Sequence, residues 1–270
     1  MVFGAAVQRK PKWSERIARA ATLIQSVPAA AEILSLYQQL ATFQKALYGF
    51  LDSCSYVSAD AAGLPEPDWF LLLPRFEPLL HLLQAAAPQE LRQAARELQS
   101  AGLGRWQEIL IHYWRGEQLD AEADELVARA FLEPVAEYIA SQADFPRRDY
   151  FGRRCPFCGR LPVVAVLRPE GDGAKRSLIC SLCSTEWEFR RILCAGCGEE
   201  RLEYLPVYTA EEFPHVRVET CDTCKQYIKA VDLTKNGFAV PVVDELATVA
   251  LNLWADDKSY RKIQPNLFGL

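Results

Sequence analysis

Cys155-Pro156-Phe157-Cys158, Cys180-Ser181-Leu182-Cys183, Cys194-Ala195-Gly196-Cys197 and Cys221-Asp222-Thr223-Cys224 hold eight of the chain's nine cysteines as four C-x-x-C pairs. Two residues between thiolates let both sulfurs reach one metal from a tight turn, and two such turns complete a tetrahedron. The pairs read as two units, C-x21-C between the first two and C-x23-C between the last two, with ten residues separating the units. Each long gap suits a β-hairpin that brings the chain back to close the site. Four knuckles can be grouped into two sites in three ways. The near-equal gaps favour Cys155, Cys158, Cys180 and Cys183 as one site and Cys194, Cys197, Cys221 and Cys224 as the other. Gly159 and Gly198 follow the second cysteine of their pairs, where a residue without Cβ lets the backbone turn its N–H groups toward sulfur.

A four-sulfur tetrahedron suits zinc or iron. Zinc would be a structural clip whose binding energy is folding energy; iron would allow one-electron chemistry. With all eight thiolates used, neither site keeps a position for substrate or an activated water, which argues against hydrolytic metal catalysis. A thioredoxin-like dithiol would want a helix N-terminus at its cysteines, whereas Leu161–Leu167, after the first pair, reads as a strand. His215 lies in a strand-like Pro-His-Val and reads as a surface or core residue; the sequence carries no Walker loop, G-x-G-x-x-G, H-E-x-x-H or G-x-S-x-G. No catalytic residue is assigned.

Outward from the cysteines, the composition is that of a globular protein of 270 residues, half of them apolar and a quarter charged. No apolar run reaches the ~18 residues of a membrane span, and Met1–Trp13 lacks the pattern of a signal peptide. A cytoplasmic protein with reduced thiols is expected, where paired cysteines hold metal rather than form disulfides. The net charge of −5 sits in residues 1–150, and 151–270 is neutral before the thiolates are counted. Eight thiolates and two divalent ions would take that second part to −4. Arg153, Arg154, Arg160, Arg190 and Arg191 are placed to offset it. An acidic chain argues against nucleic acid as partner, since such binding rests largely on phosphate neutralisation.

From Trp13 to about Gln142 apolar residues recur at helical spacing, predicting a bundle of six or so helices with Ser53–Asp68 as a loop and Pro134 as a kink or a new start. His81 and His112 are expected to be partly buried helix residues, and Cys54 a small buried thiol. The helical period breaks at Asp144–Arg154. Strands follow at 161–167, 176–179, 216–220 and 227–231, with a turn at 168–174. After Pro241 a helix is expected with Asp244 as N-cap and Leu246, Val249, Ala250, Leu253 and Trp254 on its packed face, and the tail from Pro265 is expected to dock.

Cys155-Pro-Phe-Cys-Gly-Arg-Leu-Pro-Val, Leu178-Ile-Cys-Ser-Leu-Cys-Ser-Thr-Glu-Trp, Cys194-Ala-Gly-Cys-Gly, Glu219-Thr-Cys-Asp-Thr-Cys-Lys-Gln-Tyr-Ile-Lys, Asp244-Glu-Leu-Ala-Thr and Asn266-Leu-Phe-Gly-Leu together resemble the FdhE family of formate dehydrogenase accessory proteins. The likeness spans about 151–270; the helical half is similar only in layout. It implies a cytoplasmic protein that associates with the catalytic subunit of respiratory formate dehydrogenase during maturation, with iron as the metal at all eight cysteines. It also implies an α+β fold: a helical domain over 1–150, rubredoxin-like or zinc-ribbon modules over 151–193 and 194–240, and a C-terminal helix and tail over 241–270. Two other readings stay open at this point, an iron electron carrier and a nucleic-acid-binding zinc ribbon. Neither Thr185-Glu186-Trp187 nor Asp244-Glu245 has a role that the sequence alone assigns.

Overall fold

A computed structural model describes residues 12–56, 64–143 and 150–270. Residues 1–11, the 57–63 part of the expected 53–68 loop and the 144–149 part of the expected domain boundary lie outside the described residues. Among the described residues seven α-helices come first: α1 (Trp13–Ser26), α2 (Ala31–Ser53), α3 (Trp69–Leu72), α4 (Glu77–Ala86), α5 (Gln89–Ala101), α6 (Leu103–Arg115) and α7 (Glu122–Gln142). Proline marks several starts, at Pro28 in the turn before α2, Pro78 in α4 and Pro88 before α5, because a residue without an N–H costs nothing where that N–H has no intrahelical partner.

The long helix α7 runs through the bundle, with Val127–Leu132 and Pro134–Ala140 buried on every side. The helix runs unbroken through Pro134, so this proline does not mark a new start. A proline here cannot donate to the carbonyl four residues back, that of Ala130. Buried Gln44 on α2 takes over, its Nε2 donating to the Ala130 carbonyl at 2.8 Å. A side chain from a neighbouring helix therefore replaces the missing backbone bond.

Beyond residue 150 the chain forms β1 (Pro162–Glu170), β2 (Gly173–Cys180), β3 (Glu186–Glu188), β4 (Val207–Thr209), β5 (Val216–Cys221), β6 (Gln226–Asp232), helices α8 (Pro241–Ala247) and α9 (Val249–Asp257), and β7 (Arg261–Lys262). One sheet takes them all in the order β3-β2-β1-β6-β5-β4, with β7 against β6. The β1–β2 hairpin is longer than the 168–174 turn expected: Arg168 faces Lys175 and Glu170 faces Gly173, leaving a loop of Gly171 and Asp172. The two cysteine units are fused by parallel pairing of β1 with β6, Ala165 opposite Ala230.

The C-terminal helix is two helices; Leu246 is buried as expected, but the packed face predicted beyond it is out of phase. Thr248, in a non-helical conformation, separates α8 from α9. The break resets the helical phase, so Leu251, Asn252 and Ala255 are buried while Leu253 stands 65% exposed. Asp244 is not the N-cap; Val240 holds that position, and Asp244 lies inside α8 with its carboxylate accepting from the Val240 N–H at 2.7 Å.

Candidate metal centres

The four knuckles share one backbone device. In the first, the Cys155 N–H donates to the Arg160 carbonyl and the Gly159 N–H donates back to the Cys155 carbonyl; the third repeats this with Cys194, Glu199 and Gly198. The residue after the second cysteine is left-handed in every knuckle: Gly159 (φ 73°), Ser184 (50°), Gly198 (86°) and Lys225 (54°). The glycines were legible in the sequence. Ser184 and Lys225 were not, because they hold the same conformation at the steric cost a side chain carries there. Amide hydrogens then reach the first sulfur of the pair: Phe157 N to Cys155 Sγ at 3.4 Å, Leu182 N to Cys180 Sγ at 3.4 Å, and Gly196 N to Cys194 Sγ at 3.3 Å. Such donors favour the thiolate.

Two clusters result. Cys155, Cys158, Cys180 and Cys183 converge as one, and Cys194, Cys197, Cys221 and Cys224 as the other, with the four sulfurs of each lying within 4.8 Å of one another. Neighbouring sulfurs stand 3.2 to 3.6 Å apart in the first and 3.7 to 3.8 Å in the second. A tetrahedral ion with metal–sulfur bonds of ~2.3 Å needs sulfurs ~3.8 Å apart; the second set has that spacing, the first is drawn tighter and would open slightly around an ion, and the donor chemistry of both suits zinc or iron. Burial pushes the thiols of Cys180 and Cys183 well up, and the neighbouring sulfurs add to it. A cation at the centre is what would let such a set deprotonate.

The clusters differ in setting. The first belongs to the main core: Cys155, Cys180 and Cys183 are buried with Phe157, Leu182, Trp187 and the helices. The second lies farther out, with Cys197 exposed and Cys224 half-buried. Helix α7 grips the first directly. Arg129 donates to the Ser181 carbonyl at 3.0 Å, and Ser184 donates to Glu137 at 2.6 Å while Arg16 of α1 bonds both Glu137 and Ser184. The sequence signal for this was a set of charges, Arg129, Glu133 and Glu137, at i, i+4 and i+8 within an otherwise apolar stretch of helix.

Thr185, Glu186 and Trp187 now have places. The Thr185 carbonyl accepts the Cys180 N–H and its hydroxyl lies 3.2 Å from Cys183 Sγ. Glu186 takes a bidentate bond from Arg168, and the Trp187 indole donates to the Gly152 carbonyl. Asp244 joins the two halves: its carboxylate accepts from Arg19 Nε and Nη2, at 3.0 and 2.5 Å, and lies 2.8 Å from His215 Nε2. Glu245 ties the sheet to the tail through Lys229, Lys262 and Asn266. The arginines near the knuckles bond to protein groups: Arg153 to the Gly196 carbonyl, Arg154 to that of Gly159, Arg160 to that of Tyr113, and Arg190 to Glu200. Cys54 is exposed, which corrects the expected buried thiol, and the side chains of His81 and His112 are about half exposed.

A cleft of about 360 Å³ lies between the first and third knuckles, lined by Tyr150, Arg153, Arg154, Gly196 and Gln226 among others and by none of the eight sulfurs.

A family model described as FdhE, central domain, matches residues 154–191, and one described as FdhE, C-terminal domain, matches 192–268. The Protein FdhE homolog of Aquifex aeolicus (strain VF5) is 30% identical over 213 residues, 77% of this chain and 74% of that protein. The chain belongs to the FdhE family. The FdhE homolog of Yersinia enterocolitica (serotype O:8 / biotype 1B) is 29% identical over 248 residues, covering 83% of this chain and 78% of that one. The crystal structure of the FdhE protein from Pseudomonas aeruginosa matches at a TM-score of 0.72 and 25% identity, over 96% of this chain and 97% of that one. FdhE membership therefore extends beyond the cysteine units to the helical layout, where the sequence likeness is weakest. Among the described residues of this FdhE-family chain no helix is long and apolar enough to cross a membrane.

Proposed function

We propose that this protein is an accessory factor, not an enzyme, that acts in the cytoplasm in the maturation of respiratory formate dehydrogenase by binding its catalytic subunit. The observation that carries this is FdhE-family membership with all eight cysteines inside the two matched family regions, 154–191 and 192–268. In this reading Cys155, Cys158, Cys180 and Cys183 hold one metal ion and Cys194, Cys197, Cys221 and Cys224 a second. The ions would be iron, as the family resemblance implies, or zinc, which the same donors accept. Bound metal would lock each pair of knuckles in register and make the sheet a rigid platform, with the helical bundle packed against it. A closed four-sulfur set offers no ligand position to a substrate, and this supports a binding role.

The test is genetic and biochemical. In an organism that makes respiratory formate dehydrogenase, deletion of this protein should abolish that activity, and the tagged protein should co-purify with the catalytic subunit. Undiminished formate dehydrogenase activity in the deletion strain would refute the reading. Metal analysis after purification without oxygen decides between iron and zinc.

A further inference from the structure

The two ends of the sheet are finished differently. At one end, β3 carries Glu186 and Glu188, and both are neutralised from within the sheet by Arg168 and Lys175. Such pairing blunts an edge against other chains. At the other end Val207, Tyr208 and Thr209 of β4 are all exposed, with the Tyr208 ring resting on Trp254 of α9. The Thr220 N–H donates to the Pro206 carbonyl and Val218 lies opposite Tyr208, so residues 206 and 208 turn their backbone groups toward β5. Strand alternation then turns the N–H and C=O of Val207 and Thr209 away from the sheet.

The flanks of this edge are apolar and acidic. Four of the ten large apolar side chains that stand exposed among the described residues, Leu202, Tyr204, Val207 and Tyr208, fall within seven positions. The stretch 199–212 holds five glutamates and one arginine. Glu199 and Glu200 are paired with Arg201 and Arg190, whereas no ion pair among the described residues uses Glu203, Glu211 or Glu212. An open strand edge with apolar side chains and uncompensated carboxylates matches one kind of ligand, an extended basic segment with alternating apolar residues.

We propose that β4 is the client-binding edge, and that an extended, basic segment of the partner protein adds to the sheet beside it. This rests on the reading of the protein as a client-binding accessory factor and names the surface and the chemistry of the segment. The partner's backbone would bond to Val207 and Thr209, and its lysines or arginines would face Glu203, Glu211 and Glu212.

The test uses the full-length metal-loaded protein against two probes: the immobilised catalytic subunit of formate dehydrogenase, and overlapping synthetic peptides covering its sequence. Wild type should bind the subunit and one or a few basic peptides, more weakly as salt rises. The triple variant Glu203→Gln/Glu211→Gln/Glu212→Gln should bind about tenfold more weakly, as three exposed ion pairs imply. Val207→Pro removes an outward N–H without breaking the ladder to β5, and should lose peptide binding while keeping wild-type metal content. Equal binding of the subunit by wild type and both variants would overturn the edge and leave the client reading standing. Failure of wild type to bind the subunit at all would overturn both.

Discussion

The guanidinium of Arg129 on α7 donates to the Ser181 carbonyl, between the two cysteines of the second knuckle, at 3.0 Å. The same side chain donates to the Pro265 carbonyl and to Glu133, so one buried cation fastens helix, knuckle and tail. Removing a buried, fully bonded charge leaves its partners unsatisfied and costs on the order of 3–5 kcal/mol. Arg129→Met should therefore lower the unfolding free energy, measured by denaturant titration, by that order. It should also speed metal loss to a chelator from Cys155, Cys158, Cys180 and Cys183 without changing loss from the other four. Uniform acceleration at both sites would show that Arg129 acts on overall stability alone.

The difference in burial between the two clusters predicts different lability. Three ligands of the first are buried in the main core, whereas Cys197 of the second is open to solvent. Chelator or thiol-modifying reagent should remove metal in two phases, the fast one from Cys194, Cys197, Cys221 and Cys224. Cys224→Ser should abolish the fast phase and leave the slow one, and Cys158→Ser the reverse. A single phase from the wild-type protein would contradict this asymmetry.

The metal-site layout was legible because C-x-x-C spacing is a covalent ruler: two intervening residues set the reach of both sulfurs whatever the surroundings. Gly159 and Gly198 were legible for the same local reason. What escaped depended on contacts distant in sequence. The parallel pairing of β1 with β6 joins residues some 65 positions apart, Ala165 and Ala230, and no local pattern encodes that register. Asp244 looked like an N-cap because it precedes an apolar run, but its true partners are Arg19 and His215, 225 and 29 residues away. Cys54 was read as buried because cysteine is so often a core residue, yet it lies just past the end of α2 and is exposed.

Pro134 inside α7 leads to a prediction about how a helix keeps an interior proline. Gln44 Nε2 caps the orphaned Ala130 carbonyl and also reaches Glu133 at 3.1 Å. Gln44→Leu should cost about 1–3 kcal/mol, the price of leaving a buried acceptor unsatisfied. In a Pro134→Ala background the helix supplies its own N–H to Ala130, so the same substitution should cost less. A double-mutant cycle from urea midpoints measures the coupling; a cost of Gln44→Leu that is identical in the two backgrounds would dispose of the explanation.

Asp244 and Glu245 make the junction acid-sensitive. Burial alone would raise Glu245, but Lys229 and Lys262 outweigh it and hold the carboxyl down at about 2. Burial moves Lys229 the other way, to about 8. The preference for the ionised state is therefore carried by the carboxylate, which two ammonium groups and Asn266 share. Asp244 is likewise held low against burial by His215, Arg19 and the Val240 N–H. In the unfolded chain such carboxyls take up protons near pH 4. Between about pH 5 and 2 the unfolded state therefore binds more protons, and stability falls as the pH falls. Urea midpoints should be flat from pH 7 to 5 and drop below that. Glu245→Gln and Asp244→Asn should each be less stable than wild type at pH 7 and show a shallower acid decline. Metal release followed in the same samples separates this decline from protonation of the thiolates, and parallel acid slopes in wild type and both variants would place the sensitivity elsewhere.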